Sequence, residues 1–128
     1  MEEEKFSVIK RIKSFKPAFN GIWILLKEEH NSRIHLIAAI CALTASALFK
    51  ISAGKWIAVI LATGFVFTAE IFNTALEHLS DFVSPGMNIP VKKIKDLSAA
   101  AVLVSVVTAL VTGIIVFLPE IIRLFRPA

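Results

Sequence analysis

Long stretches of this sequence hold no charged residue, although lysine, arginine, aspartate and glutamate make up 19% of its 128 positions. The even spread of charge with which a soluble domain covers its surface is therefore excluded. The 56% of hydrophobic residues must instead fall in discrete segments suited to lipid. Cysteine occurs once, at Cys41, so no internal disulfide can form, and a thiol inside an apolar segment is expected to be buried as a small hydrophobe. The opening Met1-Glu2-Glu3-Glu4 lacks the basic-then-apolar plan of a secretory signal, and the N-terminus is expected to be retained. No internal repeat or low-complexity tract occurs, and the length suits one unit over 1–128. A G-x-x-x-x-G-K-[ST] loop is also missing, which excludes the P-loop way of cradling phosphates.

What is present is a set of apolar runs. Leu97 to Leu118 is free of charge; its length of about 33 Å at 1.5 Å per residue matches a hydrocarbon core of about 30 Å. A second run, Trp56 to Leu79, is long enough to cross but carries Glu70 and Glu77 towards its far end. The third, Ile34 to Phe49, is shorter, and spans if its ends reach the interface or the bilayer thins around it. Spans are thus predicted over about 34–49, 56–79 and 97–118, with Ser80 to Lys95 as the one long connection, turning at Ser84-Pro85-Gly86. The fold class is an all-α membrane protein.

Seven basic residues (Lys5, Lys10, Arg11, Lys13, Lys16, Lys27, Arg33) precede the first span, and Lys92, Lys93 and Lys95 lie between the second and third. Lys50, Lys55, Arg123 and Arg126 fall on the other side. The positive-inside rule then places the N-terminus and the long connection in the cytoplasm. The net charge of +4 suits anionic headgroups and nucleotide phosphates better than nucleic acid. Before the first span, Phe6, Ile9, Ile12, Phe15, Phe19, Ile22, Trp23 and Leu26 recur at three- and four-residue spacing, with Lys10, Lys13, Lys16 and Lys27 between them. That pattern predicts an amphipathic helix on the membrane surface over about 4–30, split at Pro17. Its simplest role is a surface anchor.

The polar residues of the second span are patterned. Glu70, Asn73, Thr74, Glu77 and Asp81 fall at i, i+3, i+4, i+7 and i+11, which is one helix face. Ionisable groups at such depth are expensive and face a protein interior or a watery cavity, where they commonly serve a function. The plain alternative is a polar seam that only fixes helix packing. Two further groups lie on the same side of the membrane, Glu28-Glu29 before the first span and Lys95-Asp96 before the third. Asp96 can also simply cap a helix starting at Leu97, Lys95 can bind lipid phosphate, and Glu28 and Glu29 can be solvated charges. Together, carboxylates able to hold Mg²⁺, a lysine able to meet phosphate and a buried carboxylate able to take a hydroxyl proton make a phosphoryl-transfer site.

The run Glu70-Ile71-Phe72-Asn73-Thr74-Ala75-Leu76-Glu77, followed by Asp81 and then Lys95-Asp96 ahead of an alanine-rich span, resembles the small prokaryotic diacylglycerol kinase family, which includes undecaprenol kinases. The likeness also takes in Asn20-Gly21-Ile22-Trp23, Glu29 and Arg33, nearly the whole chain. It implies a homotrimeric bundle of three-span subunits in the bacterial inner membrane, phosphorylating a lipid hydroxyl with MgATP at sites shared between neighbouring subunits. Matched residue by residue, it implies Glu70 as proton acceptor and Asn73 as the group that orients it. Glu29 and Glu77 would be the metal carboxylates and would meet the nucleotide with Lys95, Asp96 and Lys10. Trp23 and Arg33, with Glu70, would meet the lipid. The loop Gly86-Met87-Asn88 would contact ATP, although Gly86 stands where relatives often carry an acidic residue and Asn88 where they often carry histidine. Glu28 to His35 and the Glu77-His78 pair look more like the undecaprenol branch.

Two other function classes remain open on the residues alone. A small transporter or channel component would use Glu70 and Glu77 as a proton or ion relay, and would leave Lys95-Asp96 and Glu29 as coincidences. A membrane scaffold would use the polar stripe as subunit glue. ATP consumption that depends on an added lipid alcohol separates a kinase from both.

Overall fold

In a computed structural model, residues 8–86 and 88–125 are described, and they form five helices with no strand. Helix α1 (Val8–Lys13) and helix α2 (Phe15–Glu28) make up the amphipathic segment. They meet at Ser14, whose N–H and hydroxyl both donate back to the Arg11 carbonyl. The break thus precedes Pro17, which sits in the first turn of α2, where a missing N–H costs no helical hydrogen bond. Along both helices Ile9, Ile12, Phe15, Phe19, Ile22 and Trp23 are exposed, and among their residues only Leu25 is buried by the rest of the chain. An apolar stripe that its own protein leaves uncovered, beside a basic one, fits the headgroup boundary.

A single non-helical residue, Glu29, separates α2 from α3 (His30–Leu48). Its extended backbone turns the chain from the surface segment into the first long helix, and its N–H still donates to the Leu25 carbonyl at 2.9 Å. Arg33 folds back over the same corner, donating from Nε to the Leu26 carbonyl at 2.7 Å and from its terminal nitrogen to the Lys27 carbonyl. Carbonyls at a helix end have no helical partner of their own, and the guanidinium supplies one.

Helix α3 ends in a Schellman turn: Lys50 adopts φ 51°, its N–H donates to Ala47, and the Ile51 N–H donates to Ser46. A lysine in the left-handed region costs about 1 kcal/mol, offset here by burial of Ile51 against Val59 and Val116. Helix α4 (Ala53–Val83) and helix α5 (Ile89–Leu124), 31 and 36 residues, then run against each other. They are about 46 and 54 Å long, so both continue well beyond the hydrocarbon. Lys55 at the start of α4 meets Glu120 near the end of α5 at 2.5 Å, and Phe49 and Phe117 pack beside them with ring centres 6.4 Å apart.

Three long apolar helices that can cross a bilayer make this a multi-pass membrane protein. The predicted spans are all present, but each helix is longer than its apolar run. Helix α4 continues to Val83 and α5 begins at Ile89, so the connection expected over Ser80 to Lys95 shrinks to residues 84–88. The cap of α5 is Asn88, whose side-chain oxygen accepts the Val91 N–H at 2.9 Å, with Pro90 in the first turn. Asp96 therefore caps nothing; it lies two turns inside α5. Cys41, expected to be buried, is exposed on α3 in the single chain. The side chains that are fully buried are serines, Ser32, Ser46 and Ser105, the small residues at which helices approach most closely.

Candidate active site

One end of the bundle gathers charged cross-links onto the last four turns of α4. His35 of α3 reaches Glu70 with Nε2 to Oε1 at 3.1 Å. Glu28, at the end of α2, meets His78 at 3.1 Å. Lys95 of α5 donates to Asp81 at 2.6 Å. Every longer helix of the chain is thus tied to α4 within the stretch that bears the polar face.

Glu70 is the deepest of these groups, only 3% exposed, and it lies about 10 Å further along the axis than Glu77. Its Oε1 is buried without a well-aligned hydrogen bond, as are Ser32 Oγ, Asn73 Oδ1 and Thr74 Oγ1. Four such atoms together are unusual, because buried polar atoms nearly always find a partner. Serines elsewhere in the bundle do: Ser46 donates to Ala42 and Ser105 to Val102. Among the described residues, the buried side-chain atoms left unmatched are those of Ser32 on α3 and of Glu70, Asn73 and Thr74 within a little over one turn of α4.

The face splits along its length. Glu70 turns towards α3, while Asn73 lines a groove of about 570 Å³ between α4 and α5. The Asn73 amide donates to Glu77 Oε1 at a long 3.3 Å, leaving its own oxygen unpaired. Glu77 is half-buried, as is Glu29 at the corner between α2 and α3.

The other residues singled out in the sequence divide by position. Lys95 joins the group through Asp81, whereas Asp96 pairs with the exposed Lys92 at 2.7 Å, since neighbours in a helix point different ways. Asn88 spends both ends of its amide locally, on Val91 N–H and on Ser84 Oγ at 2.9 Å, and Gly86 has open space around it. Met87 lies outside the described residues. Lys10 and Trp23 are exposed on the surface helices, and Arg33 serves the α2 carbonyls. Among the described residues no three histidine, cysteine, aspartate or glutamate side chains cluster to hold a metal.

Sequence reasoning gave no role to His35 or His78. The available signal was Ser32 and His35 at i, i+3, a polar pair at the start of an otherwise apolar helix.

An almost wholly buried carboxylate with unpaired polar atoms near it thus lies in a long apolar helix that carries an amide and a second, shallower carboxylate further along. The relatives say which chemistry it serves. The family described as prokaryotic diacylglycerol kinase matches residues 16–117. An undecaprenol kinase of Bacillus subtilis (strain 168) is 35% identical over 109 residues, 85% of this chain and 89% of that protein. A diacylglycerol kinase of Synechocystis is 30% identical over 112 residues, 87% of this chain and 64% of that protein. The class is that of membrane-embedded lipid kinases. The chain belongs to the prokaryotic diacylglycerol kinase family.

Proposed function

We propose that this kinase transfers the γ-phosphoryl group of MgATP to the hydroxyl of a membrane lipid at the cytoplasmic face of the bacterial inner membrane, with undecaprenol slightly preferred to diacylglycerol. The observation that carries the reading is Glu70: a carboxylate almost wholly buried, among polar atoms left without partners, at the depth where a lipid anchored by its tail presents its hydroxyl. It accepts the hydroxyl proton as the oxygen attacks the γ-phosphorus, while the Asn73 amide, which donates to Glu77 Oε1, positions that carboxylate instead.

On the nucleotide side, Glu29 and Glu77 supply hard oxygen donors, and the unpaired Asn73 Oδ1 supports the fit. Magnesium is commonly held by one or two carboxylates together with phosphate and water, so a cage of three acidic side chains is not required. Held there, Mg²⁺ would screen the phosphate charge. Lys95, with Asp96 and Lys10, contacts the nucleotide; Trp23 and Arg33 contact the lipid. The preference for undecaprenol rests on the fuller coverage of the undecaprenol kinase relative.

Most of the apolar surface of α3, α4 and α5 is exposed in a single chain, which supports assembly into a trimer that covers part of it and completes the site from a neighbour. The basic residues before α3 and around the 84–88 loop support a cytoplasmic N-terminus. The test is phosphorylation from labelled ATP with undecaprenol and diacylglycerol supplied side by side. Phosphate on neither lipid rejects the reading, and faster transfer to diacylglycerol reverses the preference.

A further inference from the structure

Few groups of the chain are free to donate to Glu70. Glu29, the other carboxylate near enough for its field to act on Glu70, carries the same sign. Arg33, which lies nearby in sequence, is committed to the Leu26 and Lys27 carbonyls. Lys95 is committed to Asp81. Ser32 of α3 also brings its hydroxyl near the carboxylate but is neutral, and Thr74 is neutral and unpaired. Beside the Ser32 hydroxyl, the group that faces the carboxylate from α3 is the His35 imidazole, 3.1 Å away.

An imidazole nitrogen and a carboxylate oxygen both carry lone pairs, and at that separation they attract only with a proton between them. A base must be free to accept, so the proton at rest belongs on Nε2. The ring is not yet aimed well enough for a full hydrogen bond, but the ring torsion is soft, and such bonds commonly tighten when substrate binds. His35 also lines the apolar cavity of about 740 Å³ between α3, α4 and α5. It therefore stands where the polar face gives way to surface suited to a lipid tail.

We propose that His35 is a positioning residue for phosphoryl transfer: it donates from Nε2 to one oxygen of Glu70 and turns the other oxygen towards the lipid hydroxyl. This rests on the reading of Glu70 as proton acceptor. It differs from a packing role, because what matters is an N–H at the Nε2 position rather than bulk.

Two substitutions separate these. His35→Gln keeps an N–H donor at nearly the same reach, and His35→Leu keeps bulk without a donor. Steady-state kinetics on the assembled protein in lipid should show His35→Leu lowering kcat on the order of 10- to 10²-fold with KM for ATP unchanged, as misplacement of a reacting group does. His35→Gln should recover most of that loss. In a Glu70→Gln background, His35→Leu should add nothing further, since it acts through the missing carboxylate. If the leucine variant does not fold, His35→Asn takes its place, its amide being too short to span the gap.

Equal activity of the leucine and wild-type proteins would overturn the proposal. So would failure of glutamine to recover activity, a rise in KM for ATP in place of the fall in kcat, or losses that multiply in the double variant. Near-normal turnover of Glu70→Gln alone would instead remove the reading of Glu70 as base.

Discussion

The two ends of the bundle treat a carboxylate within reach of their apolar helices in opposite ways. At one end Glu120, its side chain 11% exposed, is held by Lys55 and by Arg123, beside a dry cluster of Ile51, Val59, Val116, Phe49 and Phe117. At the other, Glu70 has only an imperfectly aligned histidine and a neutral serine facing it from α3. The first arrangement satisfies its charges and leaves nothing for a ligand. The second keeps acceptors in reserve, at a cost in stability that only function repays. The lesson is that a carboxylate in a membrane span is informative through what its neighbours leave undone.

The largest break in that comparison should come from Glu70→Gln. It should assemble and bind MgATP as before, yet lose turnover on the order of 10²-fold or more, the scale of a general-base deletion. ATP affinity measured beside lipid phosphorylation checks this; lost ATP binding would move Glu70 to the metal side of the site.

Next in size is Glu77→Gln, and Glu29→Gln should behave alike. Each keeps side-chain size while deleting a charge assigned to Mg²⁺, so activity at limiting Mg²⁺ should fall by at least the roughly 10-fold that even an outer-shell change at a metal site costs. Raised Mg²⁺ should restore part of it. Normal activity at limiting Mg²⁺ would refute the shared metal site.

At the opposite end, Lys55→Met should change stability and leave chemistry alone. Removing the cation strands Glu120 beside an apolar cluster. The expected result is a thermal midpoint lower by a few degrees with kcat per folded protein unchanged. A matching loss of kcat would mean that the two ends are coupled.

The smallest effect belongs to Asn88→Ala, which deletes the cap of α5 and should cost about 1 kcal/mol of stability. If the loop touches ATP through this side chain, KM for ATP rises as well; with both amide groups used locally, as the structure has them, it should stay within error.

Much of this was legible in the sequence, for identifiable reasons. Hydropathy found α5 because lipid excludes charge, but it stopped at Leu97 and Leu118, whereas the backbone continues its hydrogen bonds through Lys92, Lys93 and Lys95 into water. Hydropathy reports the solvent, and helix ends are set by caps such as Asn88. The polar face of α4 was legible because Glu70, Asn73 and Glu77 recur at helical spacing within an apolar run. His35 was less so, because its partner lies on another helix and the single i, i+3 pair that it makes with Ser32 is too short to establish a polar face. Nor was the difference between Lys95 and Asp96, adjacent in sequence and sent to separate partners by the 100° step of the helix.

The corner at Glu29 has a consequence for how the chain can change in length. One residue joins the surface helix to the first span, and that residue bears a carboxylate assigned to the metal. Inserting a single amino acid there would swing α3 by about 100° around its axis and carry His35 off Glu70, while also displacing the carboxylate at the corner itself. An insertion in the 84–88 loop would lengthen a tether that already lies outside the helices. Length variation in functional versions of this protein should therefore accumulate in that loop and be absent from the corner.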